Sequence, residues 1–286
     1  MDRAGAVFGV SMFPTDDAIG IPQLAAAAEA RGFESLFLPE HTHIPVSRES
    51  PWPGGGELPR EYYRTQDPFV ALAAAAAVTT RLRLGTGIAL VTERDPILMA
   101  KQVASLDHVS RGRVLLGIGA GWNAEEMANH GVPFGQRWAV LRERVLAMRA
   151  IWTEDPASFH GEHVHFEPIH AWPKPVQPGG PPVLLGAASR YVFARIAEYA
   201  DGWMPIARPD VDLAGGMVQL KGAMQAAGRD FETLDLTLFG VGPDPKRVRG
   251  YLDLGFRRLV FGLPPAPADQ VVPLLDRYAE LAASVS

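Results

Sequence analysis

No cysteine occurs among the 286 residues. That absence removes disulfides, thiolate metal sites and cysteine nucleophiles together. Basic residues are also in deficit, 27 Lys and Arg against 32 Asp and Glu, and the resulting net charge of -5 offers no basic face to nucleic-acid phosphates. No run approaches the ~20 apolar residues of a membrane span, and the opening Met-Asp-Arg-Ala-Gly-Ala-Val lacks the apolar segment of a secretory signal. The spacing His-Glu-x-x-His is missing, as is Gly-x-Ser-x-Gly at any strand-to-helix turn. What is present, 47% hydrophobic and 21% charged residues, suits a soluble globular protein with a sizeable core. The expectation is a cytoplasmic enzyme acting on a small molecule, with neither nucleic acid nor membrane as partner.

Along the chain, short apolar runs alternate with helix signals. Strands are predicted at 6–11, 35–38, 82–88, 114–118, 182–185, 201–204, 236–239 and 258–261, with helices between them. Two of those helices open on the same device, Asp67-Pro68 and Asp95-Pro96, a capping carboxylate followed by proline at the first helical position. Two stretches break the rhythm. Residues 44–66 are crowded with Pro, Gly and charge, and residues 154–182 hold a predicted small hairpin at 159–166 followed by the stiff tract Pro173-Lys-Pro-Val-Gln-Pro178. With no composition break across 1–286, the alternation predicts one domain, an α/β fold of the (β/α)8 TIM-barrel type with insertions after strands two and four. Chemistry in such barrels sits on loops at the C-terminal ends of the strands.

Those ends carry three candidate constellations. In Gly112-Arg-Val-Leu-Leu-Gly-Ile-Gly-Ala-Gly-Trp-Asn123 a buried strand stops at Gly119 and Gly121, where bare main chain lets a flat ligand lie close, and Asn123 caps the next helix. Gly186-Ala187-Ala188-Ser189 at a predicted helix start offers free amides and a hydroxyl to an anion such as a phosphate, unless Ser189 serves only as a cap. His41 stands at a strand tip beside Glu40, which is placed to hold the imidazole for proton transfer; a purely structural histidine is the alternative. His41 and His43, and His163 and His165 on one predicted hairpin face, do not reproduce a metal-ligand spacing, so no metal is expected.

The turn Gly117-Ile-Gly-Ala-Gly-Trp-Asn123, the strand Arg83-Leu-Gly-Thr-Gly-Ile88, the helix opening at Asp95-Pro-Ile-Leu-Met-Ala-Lys-Gln102, the proline tract and Asp201-Gly-Trp203 together resemble the bacterial-luciferase-like superfamily, above all its actinobacterial branch of oxidoreductases that use the deazaflavin coenzyme F420. The resemblance spans roughly residues 7–205. It implies a barrel, a hydride exchanged between deazaflavin and a small organic substrate, and site roles for particular positions. Glu40 and His41 match the acidic-His pair near the reactive ring, and Gly87 and Ile88 match a strand bulge behind it, where a cis peptide is expected. Gly119, Gly121 and Trp122 match the turn beneath the cofactor, and Gly186, Ala187, Ala188 and Ser189 match the phosphate loop. Ala120 stands where the luciferase has an arginine for the flavin phosphate, which tilts the cofactor toward F420 and away from FMN. An FMN-dependent monooxygenase is the alternative, and a cofactor-free barrel that only binds a partner is the reading from another class. Dimers are common in the resembled family, so a homodimer is open; the substrate and the direction of hydride transfer are not readable.

Overall fold

The computed structural model describes residues 5–285. In chain order it runs β1 (Val7–Ser11), α1 (Ile21–Ala30), β2 (Ser35–Leu38), α2 (Pro68–Val78), β3 (Arg83–Thr86), β4 (Ala89–Leu90), α3 (Pro96–Ser110), β5 (Val114–Gly119), α4 (Ala124–Asn129), α5 (Arg137–Thr153), β6 (Ala157–His160), β7 (His165–Ile169), β8 (Val183–Leu185), α6 (Val192–Tyr199), β9 (Gly202–Trp203), α7 (Leu213–Ala226), β10 (Asp235–Val241), α8 (Pro245–Asp253), β11 (Arg258–Gly262) and α9 (Ala268–Val285). The parallel sheet runs β3-β2-β1-β11-β10-β9-β8-β5-β4, and a β3–β5 pairing closes it. Since β3 and β4 are two pieces of one strand, this is a closed eight-strand parallel barrel with helices between its strands. The hairpin β6–β7 lies outside the barrel in the second insertion.

Local chemistry sets many of these boundaries. The Asp67 carboxylate accepts from Phe69 N at 2.9 Å and Val70 N at 3.0 Å, and Asp95 accepts from Leu98 N at 2.8 Å, each with proline inside the first turn. Asn123 accepts from both Glu125 N and Glu126 N at 3.1 Å. Helix α3 runs on past Leu106 to Ser110 and stops where Arg111 (φ 59) and Gly112 (φ 79) turn left-handed. The proline tract is pinned from within: buried Asp107 accepts from Gln177 N at 2.9 Å and from its Nε2 at 2.8 Å, and Nε2 also reaches Val114 O at 2.9 Å.

Strand three is not the continuous run that 82–88 predicts. It breaks at the Gly87–Ile88 peptide, which is cis, and the pairing offset to β5 drops by one residue between Gly85↔Leu115 and Ala89↔Ile118. That is a one-residue bulge. Inside the barrel, Phe37, Leu115, Leu184, Met204 and Val260 pack together with Ile88 and Phe239 against them, the Phe37 and Phe239 rings meeting edge-on at 5.0 Å. A Cβ at Gly87 would lie 2.6 Å from Phe239 Cζ and 3.2 Å from Phe37 Cβ, so glycine here makes room for the interior aromatic pair.

The N-terminal end of the barrel is closed by charge. The Arg258 side chain, 7% exposed at the start of β11, donates to Glu34 at 2.8 and 2.9 Å, to both Asp235 oxygens at 2.7 and 2.6 Å, and to Thr237 Oγ1 at 2.8 Å. These contacts tie the starts of β2, β10 and β11 together, leaving the opposite mouth for the loops.

Candidate active site at the barrel mouth

A cavity of about 790 Å³ opens at the C-terminal ends of the strands and adjoins a second of about 410 Å³, the two sharing seven wall residues, Gly87, Ile88, Gly186 and Arg208 among them. Ile88 borders both, and its side chain lies between the turns after β5 and β8: a Cβ at Gly186 would sit 2.8 Å from Ile88 Cγ2, and one at Gly119 would strike Ile88 Cδ1. Gly119 is therefore glycine to accommodate Ile88, and the cavity wall at that turn is formed instead by Ala120, Gly121 and Trp122. Gly121 has φ 76, a conformation that favours glycine.

The expectation that Glu40 holds the His41 ring needs correcting. Glu40 is buried and its carboxylate is taken by other groups: Oε2 accepts from Leu90 N at 2.7 Å, and Oε1 accepts from Arg94 Nε at 2.6 Å and from Arg94 Nη2. Burial pushes its carboxyl above the usual range even against the guanidinium. Arg94 is further bound to Asp67 Oδ2 at 2.6 Å and Gln102 Oε1 at 3.0 Å, so Glu40 anchors the turn after β4 to helices α2 and α3. The partner of His41 is Glu126, on α4, whose Oε2 lies 2.7 Å from Nδ1 while Oε1 accepts from Thr42 N at 3.2 Å. With Nδ1 engaged, Nε2 is the ring nitrogen left for chemistry in the cavity that His41 lines.

Glu126 and its neighbour Glu125 were legible in the sequence only as a helix-start signal, yet each does a separate job. Glu125 fastens the first insertion: it accepts from Glu49 N at 2.7 Å, Ser50 N at 2.9 Å and the Ser50 hydroxyl, and the Ser50 hydroxyl above all pulls its carboxyl down to about 2. The insertion so held lays Trp52 and Tyr62 over the cavity. Tyr62 stands 5.2 Å from the His41 ring, 5.9 Å from Trp52 and 6.4 Å from Trp122, an aromatic rim that shields the imidazole from water. Trp52 and Tyr62 carried no periodic signal in an irregular loop.

At the turn after β8, Gly186, Ala187 and Ala188 line the second cavity together with Arg208 and Asp210, whereas Ser189 does not. Ser189 is exposed, and α6 begins at Val192 with Tyr191 at its cap position and no side-chain cap, so Ser189 is not the helix cap either. The turn is delayed because buried Trp203 donates from Nε1 to Ala187 O at 2.8 Å, holding 186–188 open along the cavity. His43 lies outside the cavity, with Nε2 2.8 Å from Asn129 Nδ2. On the hairpin, register pairs His165 with His160 rather than with His163: their Nδ1 atoms are 3.3 Å apart, Glu167 Oε1 is 3.3 Å from His165 Nε2, and all three side chains are exposed.

A closed parallel barrel with a deep apolar cavity at its C-terminal mouth, and an imidazole and a glycine-rich turn facing into it, is the architecture of a TIM-barrel enzyme. More particularly, the chain belongs to the luciferase-like monooxygenase family, whose sequence profile matches residues 10–283. It is 45% identical over 276 residues to the uncharacterized protein Rv0953c of Mycobacterium tuberculosis, covering 95% of this chain and 97% of that one. To the F420-dependent glucose-6-phosphate dehydrogenase of Gordonia bronchialis it is 29% identical over 235 residues, 78% of this chain and 65% of the relative. Among solved structures, an F420-dependent secondary alcohol dehydrogenase in complex with an F420-acetone adduct superposes with a TM-score of 0.81 at 17% identity, over 99% of this chain and all of the other. The relatives thus include oxidoreductases that use F420, and the family carries monooxygenases in its description. No described helix is long and apolar enough to cross a membrane.

Proposed function

We propose that this protein is an F420-dependent oxidoreductase that moves a hydride between the deazaflavin and a small organic substrate. The observation that carries the reading is the pairing, in one cavity, of an inward Ile88 with an imidazole whose Nδ1 is already committed to Glu126. Ile88 offers a flat ring an apolar support, while the main chain of 186–188 borders the adjoining cavity where a phosphate would reach, with the Arg208 guanidinium, paired to Asp210, at its edge. The residues present therefore suit a flat ring carrying a phosphorylated tail. Bound deazaflavin would supply the hydride chemistry; the chain's contribution is position, exclusion of water and the accompanying proton. His41 Nε2 exchanges that proton with substrate, Glu126 holds the ring in place, and the Trp52–Tyr62–Trp122 rim closes the site. Ala120 at the β5 turn and the Gordonia bronchialis relative favour F420 over FMN.

Titration of the purified protein with F420 and, separately, with FMN, followed by tryptophan fluorescence, tests the reading. Binding of F420 in preference to FMN is expected. Preference for FMN would point to the monooxygenase chemistry, and binding of neither would leave a barrel that serves only as a binding protein. The role of Ile88 has its own test. Gly119→Ala adds a methyl that must displace the end of the Ile88 side chain from its place in the cavity wall, so F420 affinity should fall roughly tenfold, the equivalent of about 1.4 kcal/mol. Unchanged affinity would show that nothing lies against Ile88.

A further inference from the structure

Three carboxyls are buried beside one another behind His41: Glu40 at the end of β2, Glu93 in the turn after β4 and Glu126 on α4, with side-chain exposures of 1%, 1% and 0%. The cations around them do not match that number. Arg94 is taken by Glu40 and Asp67, and the His41 ring by Glu126. Arg144, reaching in from α5, gives Nη1 to Val91 O and Arg94 O at 2.9 Å each. What faces Glu93 is His130, its Nε2 3.9 Å from Glu93 Oε2 and 2.9 Å from the Thr42 hydroxyl. Burial first, and then the neighbouring His43, hold that imidazole below its usual range, so it brings no positive charge to Glu93 at neutral pH. Glu93 Oε2 is buried without a hydrogen-bond partner, which an ionised carboxylate tolerates far worse than a neutral acid.

Glu93 is linked to Glu126 through His130 and Thr42, the Thr42 hydroxyl lying 2.9 Å from His130 Nε2 and the Thr42 N–H donating to Glu126 Oε1 at 3.2 Å. Two carboxyls buried this close, with no cation of their own between them, disfavour each other's ionised form, so one of them keeps its proton. We propose that Glu93 and Glu126 hold a single proton between them, Glu93 serving as the neutral acid and Glu126 as the carboxylate that holds His41. Glu126 already accepts from two groups, His41 Nδ1 and Thr42 N, the environment of an ionised oxygen pair; Glu93 has no comparable set of donors. Burial above all, followed by the negative charges of Glu126 and Glu40, pushes the Glu93 carboxyl up to about 9. Glu93 is thus a positioning residue. By staying neutral it adds no further negative charge to Glu126 and the Arg94-paired Glu40 behind the imidazole, so that Nε2 can release a proton as well as accept one. This role rests on the proposed function, but the shared proton does not and can be measured without cofactor.

The sign of the pH dependence follows from linkage. A carboxyl that keeps its proton in the folded chain, up to about 9, while the unfolded chain releases it near 4.5, makes folding progressively less favourable as pH rises between those values. Glu93→Gln retains the shape and the donor but does not titrate. Melting of the full-length wild-type protein and of Glu93→Gln at intervals from pH 5 to pH 9 should therefore show a Tm difference that moves in the variant's favour as pH rises, by roughly 2 °C or more in all. Infrared spectra at pH 7 should show a protonated-carboxyl band in the wild type that is lost in Glu93→Gln. A Tm difference that is flat with pH, or that turns against the variant at high pH, would mean that Glu93 is ionised and overturn the proposal, as would the absence of the infrared band. Failure of F420 to bind would overturn only the proposed function, because neither readout involves it.

Discussion

Loss of turnover by roughly 100-fold or more, with cofactor affinity shifted far less, is the expected result for His41→Ala. Nδ1 of this ring is held 2.7 Å from Glu126 Oε2, its side chain is 6% exposed, and it stands under the Tyr62 and Trp122 rings, so it has one orientation and one free nitrogen. Removing it leaves the cavity floor at Ile88 and the 186–188 main chain unchanged, which is why binding should survive. The rate is read from the deazaflavin absorbance change with any alcohol or carbonyl compound that supports reaction. His43→Ala is the control, since that ring bonds Thr42 and Asn129 outside the cavity. Full activity in His41→Ala together with a large loss in His43→Ala would reverse the assignment.

Arg258→Ala should destabilise the fold by about 3 kcal/mol, seen as a fall in Tm of roughly 6–12 °C. The guanidinium is 7% exposed and serves two carboxylates, Glu34 and Asp235, that are 24% and 21% exposed. Deleting it removes the shared cation from both, at the starts of β2 and β10, and leaves Glu34 only Arg83 at 3.7 Å. Their partial access to water places the estimate at the low end of what breaking a buried ion pair costs. The network lies at the end of the barrel opposite the cavity, so F420 titration of the folded variant should be nearly unchanged. A loss below about 1 kcal/mol, from urea unfolding at pH 7, would show that the network is structural decoration and that hydrophobic packing alone closes that end.

The element order of the barrel was readable because its signals are local. Asp67-Pro68 and Asp95-Pro96 start helices through contacts two or three residues away, and short apolar runs between glycines specify buried strands wherever they occur. The cis peptide and bulge at Gly87–Ile88 were expected from the family resemblance against a periodicity that reads 82–88 as one run, and their consequence for Gly119 was not foreseen. Gly119 and Ile88 are far apart in the chain, and only closure of the barrel shows that one is small because the other fills its space. The turn after β8 failed for a related reason. Gly186 to Ser189 has the composition of a helix start, but a hydrogen bond from Trp203, on the next strand, holds Ala187 out of the helix.

His41 and its partner show the division most clearly. Strand-end chemistry and family resemblance both single out His41, and Glu40 next to it is the natural partner on paper. Both residues border the cavity, but the Glu40 carboxylate is taken by Leu90 N and Arg94. The carboxylate that reaches Nδ1 comes from Glu126, 85 positions along the chain. Periodicity and capping act over a few residues, so they can locate a strand tip and the helix that follows it; which side chains meet across the mouth of the barrel is decided by its closure.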